Sequence, residues 1–239
     1  MDAEKINKKI EITCAAVDIY QEKKKVSIPD LVNKTNISAT EIYQLFPNKQ
    51  AILAYYYPAL VLQYWAMIEE IEDFESYAIG EKFSNFIYTI FDMMGEKEAF
   101  VTDTFNKYVF KKGSKSKFHE ETTTLFKEFL TTDSNIAVSA GFFMGDIFYK
   151  TLSSQFLFLI QYWLKDSSKD KDRTLALADK LSSFFEEIVY NKSIDKGFDL
   201  LKFIFGNNDI ESWIPKFDSC SSKKSKTVHT QEEEEHQDE

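Results

Sequence analysis

Glycine and proline are scarce in this chain: Gly 7 and Pro 4 in 239 residues. With so few backbone breakers, a fold built on many turns or hairpins is excluded, and long helices are favoured. Cysteine is scarcer still. Cys14 and Cys220 are far apart and belong to no motif, so neither a disulfide framework nor a zinc site is expected, and a buried Cys14 is the simplest reading. Arginine is reduced to a single residue, Arg173, so nearly every cation is a lysine, which binds phosphate as a point charge without a bidentate fork. Positive charge is outweighed overall: the formal net charge is -10, which excludes general electrostatic binding of nucleic acid by the whole surface but not by a local face. The longest apolar run, "FLFLIQYWL", is broken by Gln161 and too short to span a bilayer. The charged N-terminus, Asp2 through Lys9, lacks the apolar stretch of a signal peptide, so a cytosolic protein is expected.

What is abundant points the same way. The chain is 44% hydrophobic and 28% charged, with Phe 22 and Tyr 12. No period-2 pattern of useful length occurs, whereas helical periodicity recurs throughout, which predicts an all-α protein. Ile6, Ile10, Cys14, Val17 and Tyr20 form a first stripe. Ser27 opens a second helix as its cap, with Pro29 tolerated in the first turn, and Asn36 ends it in a left-handed conformation. Ser38 and Glu41 have the spacing of a capping box for a third helix, whose buried side is Ile42, Leu45 and Phe46. Pro47 stops it. Asn48 caps a fourth helix running to about Phe74, with a kink expected at Pro58. Further helices are predicted at 76–94, 97–111, 116–131, 135–165 and 170–191, and short ones at 194–205 and 209–217. The domains that follow are residues 1–50, a three-helix head; 51–217, a helical bundle; and 218–239, a disordered acidic tail containing Glu232 to Glu235. The tail's simplest role is solubility; a sharper one is competition with DNA for the head's lysines.

The stretch "SIPDLVNKTNISATEIYQLFPNKQAIL", Ser27 to Leu53, resembles the helix-turn-helix region of tetracycline-repressor (TetR) family regulators. Tyr43, Phe46 and Lys49, spaced Tyr-x-x-Phe-x-x-Lys, carry most of the likeness. The pair "QFLFLIQYWLKDSS" and "RTLALADKLSSFFEEIV" is similar to the last two helices of the family, which usually build its dimer. The resemblance implies a helix-turn-helix head joined to a C-terminal helical bundle, in a homodimer that places two heads in successive major grooves of a palindromic operator. It also implies a transcriptional repressor that a small apolar ligand removes from DNA, a two-state equilibrium biased by ligand. The chain departs from the family at Val32, Asn36, Thr40 and Glu41. The head is nearly neutral: Lys5, Lys8, Lys9, Lys23, Lys24, Lys25, Lys34 and Lys49 face Asp2, Glu4, Glu11, Asp18, Glu22, Asp30 and Glu41.

The candidate DNA-binding residues are Ser27, Ser38, Ala39, Thr40, Tyr43, Gln44 and Lys49. Thr40, Tyr43 and Gln44 share one helix face. Gln44 suits adenine, Thr40 a thymine methyl or a phosphate, and Tyr43 a phosphate. Lys49, beside a helix N-terminus, suits a phosphate as well, or is a plain surface lysine. Glu41 reads as a cap partner rather than a cytosine reader. In the aromatic-rich bundle, Trp65, Tyr88, Phe105, Phe143 and Asp146 are the candidate ligand-binding residues, with Asn106 and Gln155 as further polar handles and Met93, Met94 and Met144 as adaptable lining. Most of the aromatics are expected to be core. Gly141 and Gly145 read as a close-packing pair. His119, in a polar first turn, His229 and His236 lack metal-ligand spacing. No catalytic constellation, metal site or cofactor motif is present, so an enzyme is not expected. A second reading of the same features is a protein of this fold that has lost DNA binding and holds lipid-like molecules.

Overall fold

The computed structural model describes residues 3–141 and 144–191. The predicted helices at 194–205 and 209–217, the acidic tail, Phe143, Cys220, His229 and His236 lie outside the described residues. Among these residues there is no β-strand; the chain is an all-α protein. The helices are α1 (Ala3–Lys23), α2 (Ile28–Thr35), α3 (Ala39–Leu45), α4 (Lys49–Glu69), α5 (Ile79–Gly95), α6 (Glu98–Tyr108), α7 (Lys117–Thr132), α8 (Val138–Gly141), α9 (Asp146–Lys165) and α10 (Asp172–Tyr190). Tighter 3-10 turns occupy Phe74–Ser76, Phe110–Lys115 and Lys169–Lys171.

The buried stripe of α1 differs from the expected one. Ile12, Thr13, Ala16, Val17 and Ile19 are buried, while Ile6 and Ile10 are only half-buried and Cys14 is exposed. Ala15 and Ala16 are buried, α1 packs on α4, and the Thr13 hydroxyl reaches the Ile52 carbonyl of α4 at 3.4 Å, while Cys14 between them stays exposed. The fourth helix ends at Glu69, short of Phe74, and Pro58 lies inside it without ending it. Among the described residues α4 is the one helix long and apolar enough to cross a membrane, and its apolar residues go into the core against α1 and α7. The predicted single helix 135–165 is broken between α8 and α9. Gly141 and Gly145 lie at that break, and a Cβ on either would meet none of the described residues within 4 Å, so among these they are not a close-packing pair. Gly80 is the close-packed glycine instead: a Cβ there would stand 2.4 Å from Glu186 Oε2 and 3.2 Å from the Ser182 carbonyl, where α5 meets α10.

One apolar core runs from Ile12 to Val189 and includes residues of both head and bundle. Its centre is aromatic. Tyr57, Tyr64, Phe86, Phe100, Phe105, Phe118 and Phe126 are fully buried, and Tyr57 meets Phe105 edge-on at 5.6 Å. The buried phenols of Tyr57 and Tyr64 are satisfied. Thr104 gives its only hydroxyl hydrogen to the Phe100 carbonyl at 2.7 Å, so Tyr57 donates to Thr104 Oγ1, also at 2.7 Å. Tyr64 donates to Asn85 Oδ1 at 2.9 Å. Burial pushes the Tyr57 and Tyr64 phenols well above the ordinary range, so both stay neutral donors.

Candidate nucleic-acid interface

The second and third helices form a capped helix-turn-helix. Ser27 Oγ accepts from the Asp30 amide at 3.2 Å and donates to Asp30 Oδ2 at 2.5 Å, so its hydroxyl hydrogen is committed within the cap. Asn36 takes the left-handed conformation at φ 57, and its amide bonds the Val32 carbonyl, closing α2. Ser38 Oγ accepts from the Glu41 amide at 3.2 Å to start α3. Phe46, extended before Pro47, ends it, and Asn48 Oδ1 accepts from the Ala51 amide at 2.9 Å to start α4. Each such cap contributes about 1 kcal/mol.

The turn fixes which face of α3 is free. Ile42 and Phe46 are buried and Leu45 is packed against the core. On the opposite side Ser38, Ala39, Thr40, Tyr43 and Gln44 are exposed, Tyr43 to 56%. Apart from the Ser38 cap, none of these side chains makes a hydrogen bond or ion pair among the described residues. Lys49 is also exposed, at the start of α4. The six exposed candidates thus belong to one short stretch, whereas Ser27 is half-buried at the start of α2.

Glu41 departs from the expected capping box. Its carboxylate does not turn back on Ser38 but accepts Lys8 Nζ at 2.9 Å, and Lys8 also meets Glu4 at 3.1 Å. The hydrogen bond from Lys8 to Glu41 and that to Glu4 raise the Lys8 ammonium's pKa, and both charges are held across α1 and α3. Beside this bridge Glu4, Lys5, Lys8, Glu41, Gln44 and Leu45 line a cleft of about 230 Å³. Lys9 lies over the rings of Phe46 and Tyr55, at 5.6 and 5.3 Å.

Other lysines of the head are similarly engaged. Lys23 pairs with Asp30 at 2.7 Å, Lys24 with Asp103 at 2.7 Å and Lys34 with Asp18 at 3.1 Å. Lys5 and Lys25 of the head are exposed and form no ion pair among the described residues, and further such lysines lie outside α1 and α2. Lys49 of α4 and Lys111, Lys112 and Lys115 of the turn after α6 are exposed and form no ion pair among the described residues, as is Lys107, whose ammonium lies over the Tyr108 ring at 5.1 Å. Asn48, Gln50, Ala51, Ala54, Lys107, Tyr108 and Lys112 line a second cleft, of about 260 Å³. Along the sequence, that turn is only a break between helices. Its signal was the density of lysine: residues 104–119 contain five lysines and no acid.

The candidate ligand residues do not converge. Phe105 is fully buried against Tyr57 and Phe110. Tyr88 is half-buried and gives its hydroxyl to Asp179 of α10; burial first, and that bond second, push its phenol up to about 12. Trp65 is half-buried beside Phe129, at 6.5 Å. Asp146 is not inside an apolar helix but at the exposed start of α9, 3.8 Å from Lys127. Asn106 and Gln155 are exposed as well, and Met94 is buried in the core. His119 is buried rather than in a polar turn: Nε2 lies 3.0 Å from both the Lys150 carbonyl and Ser154 Oγ. Among the described residues no group of His, Cys, Asp and Glu gathers as a metal site requires.

The last two helices are the apolar ones outside. Ile147, Phe158 and Tyr162 share a face of α9, and Leu181, Phe184 and Ile188 share a face of α10; all are exposed, from 45% for Tyr162 and Leu181 to 83% for Ile147. Residues 82–204, which contain both helices, match the model of the tetracyclin repressor-like C-terminal domain. The chain belongs to the tetracycline-repressor family. The match covers just over half of the 239 residues and falls on the bundle, including the two helices similar to the family's last pair, whereas the helix-turn-helix likeness falls on the head. No curated protein matches the chain. In this TetR-family regulator the two halves thus point to one family through separate residues.

Proposed function

We propose that this TetR-family regulator is a homodimeric, DNA-binding repressor that reads a palindromic operator through α3 and is controlled by a small apolar ligand. The carrying observation is the free face of α3. Ala39, Thr40, Tyr43 and Gln44 stand exposed and unengaged on a helix whose long aliphatic residues, Ile42 and Leu45, are used in packing. A seven-residue helix held by caps at its start and by core residues along one side is a rigid presenter of the other side. Gln44 offers the amide pair that fits adenine, Thr40 a methyl for thymine, and Tyr43 a donor for phosphate. The exposed apolar faces of α9 and α10 supply the surface for a second copy. A ligand acts through α4, which starts beside α3 and whose middle, Tyr56 to Tyr64, lies in the core of the bundle, so that a shift in the bundle tilts the head.

A second reading is favoured by one observation. Lys8, Lys23, Lys24 and Lys34 are each tied to an acid, which leaves Lys5 and Lys9 as the lysines of α1 without an ion pair among the described residues and none on α2. This is what a family member that holds lipid-like molecules and no longer binds DNA would show. Selection of bound duplexes from a random library, at physiological salt, separates the two. A palindrome is expected, with binding lowered on the order of 10- to 100-fold by Tyr43→Ala with Gln44→Ala, at unchanged melting temperature. A library that yields no enriched sequence, together with an apolar molecule carried through purification, would put the second reading in place of the first.

A further inference from the structure

We propose that the turn between α6 and α7 is a second DNA-binding element, a bundle-borne lysine clamp that grips the phosphodiester backbone next to the segment read by α3. The proposal rests on the DNA-binding reading above and concerns contacts outside the helix-turn-helix.

Four observations carry it. First, the turn is positive without interruption: Lys107, Lys111, Lys112, Lys115 and Lys117 occur in residues 104–119 with no acid among them, in a chain whose net charge is -10. Second, two of the acids that flank the turn are already engaged, Asp103 by Lys24 and Glu120 by Lys117, at 2.7 and 2.6 Å, and the third, Glu121, is half-buried with its pKa raised by that burial. Third, the clamp adjoins the head. Lys107 and Lys112 line one cleft with Asn48, Gln50, Ala51 and Ala54, the first turns of α4, directly after α3 and beside exposed Lys49. No acid occurs between Glu41 and Glu69, so this side of the cleft adds no negative charge from α4. Fourth, the lysines are displayed from an anchored turn. Val109 is buried, the Phe110 ring packs on Phe158 at 5.3 Å, and Gly113 reverses the chain at φ 51, before Ser116 caps α7. The backbone is held while Lys111, Lys112 and Lys115 are exposed without an ion pair among the described residues.

Exposed lysines with no acidic partner of their own, flanking the amide-rich start of a helix, fit a row of phosphates better than any neutral ligand. The arrangement also accounts for the neutral head. The positive charge that α1 and α2 commit to ion pairs is supplied instead by α4 and the bundle.

The test uses full-length protein and the palindrome selected above, as the core duplex and as a duplex extended by about 5 base pairs, half a helical turn, at each end. The variant carries Lys107→Gln, Lys111→Gln, Lys112→Gln and Lys115→Gln; a companion carries arginine at the same four positions. Wild type is expected to bind the extended duplex more tightly. The glutamine variant should lose that advantage, bind about 10- to 100-fold more weakly at physiological salt, and show a slope of log K against log salt reduced by about 2 or more, at roughly 0.9 for each phosphate no longer neutralised. The arginine companion should keep the wild-type slope, which separates charge from folding. If the glutamine variant keeps wild-type affinity and slope on the extended duplex, the clamp is disproved while the reading of α3 stands. If wild type selects no duplex at all, the functional reading fails first and the clamp with it.

Discussion

Asp18 of α1 receives Lys97 at 2.9 Å on one carboxylate oxygen and Lys34 of α2 at 3.1 Å on the other. One side chain thereby ties the head's second helix to the loop before α6. Burial opposes ionisation of Asp18, but the hydrogen bonds from Lys97 and Lys34 outweigh it, and its carboxyl titrates below the usual range. A carboxyl depressed in this way contributes stability that is fully present above its unfolded pKa, about 3.9, and is lost as pH falls through the folded value. Asp18→Asn is therefore expected to lower stability at pH 7 by about 0.5–1 kcal/mol, as partly exposed pairs do. The deficit should persist to about pH 4 and shrink below it. Denaturant midpoints of both proteins from pH 7 to pH 3 measure this, and a deficit that grows on acidification would count against the pairing.

His119 predicts a loss on acidification that begins at a higher pH. Burial lowers its pKa, only partly offset by the Lys150 carbonyl, so it is neutral when folded. The unfolded chain takes up the proton first as pH falls past about 6.5, so this residue's contribution should weaken on going from pH 8 to pH 5. His119→Gln keeps polar atoms near Ser154 but removes the titration. It should be less stable than wild type at pH 8, with the gap narrowing toward pH 5. Equal slopes for the two proteins across that range would refute the assignment.

Glu41 held by Lys8 predicts a gain from a substitution. Glu41→Gln removes a carboxylate next to the exposed face of α3 and leaves Lys8 with Glu4 as its remaining acidic partner, so this side of the head gains one net positive charge. Operator affinity should rise about 2- to 10-fold at low salt, with the salt slope steeper by about 1 per head. Fluorescence anisotropy at several salt concentrations reads both. Weaker binding would mean that Glu41 itself contacts a base.

The exposed faces of α9 and α10 predict the assembly. Phe158→Glu with Phe184→Glu places charge at two exposed rings, 57% and 61% accessible, whose burial in a partner would each be worth about 1.5–3 kcal/mol. Light scattering should move from twice the 27.9 kDa chain mass to the chain mass itself. A variant that stays dimeric would shift the interface elsewhere, and one that is monomeric should bind only half of a palindrome.

The amino-acid sequence by itself determined the local features. Ser27, Asn36, Ser38, Pro47 and Asn48 cap and stop helices through bonds within four residues, so α2, α3 and the start of α4 were legible in order, as was the all-α class. The exposed side of α3 followed from the same spacing. Properties that depend on partners distant in the chain were not legible. Glu41 is claimed by Lys8, 33 residues earlier, instead of completing its own box. Cys14 is exposed while Thr13 beside it is buried against the Ile52 carbonyl of α4, 39 residues away. His119 is buried because α9 brings Lys150 and Ser154 across it. Above all, a lysine's sequence neighbours do not show whether its charge is free. Long side chains pair across elements, and only the tertiary arrangement revealed that Lys8, Lys23, Lys24 and Lys34 are engaged while Lys111, Lys112 and Lys115 are not.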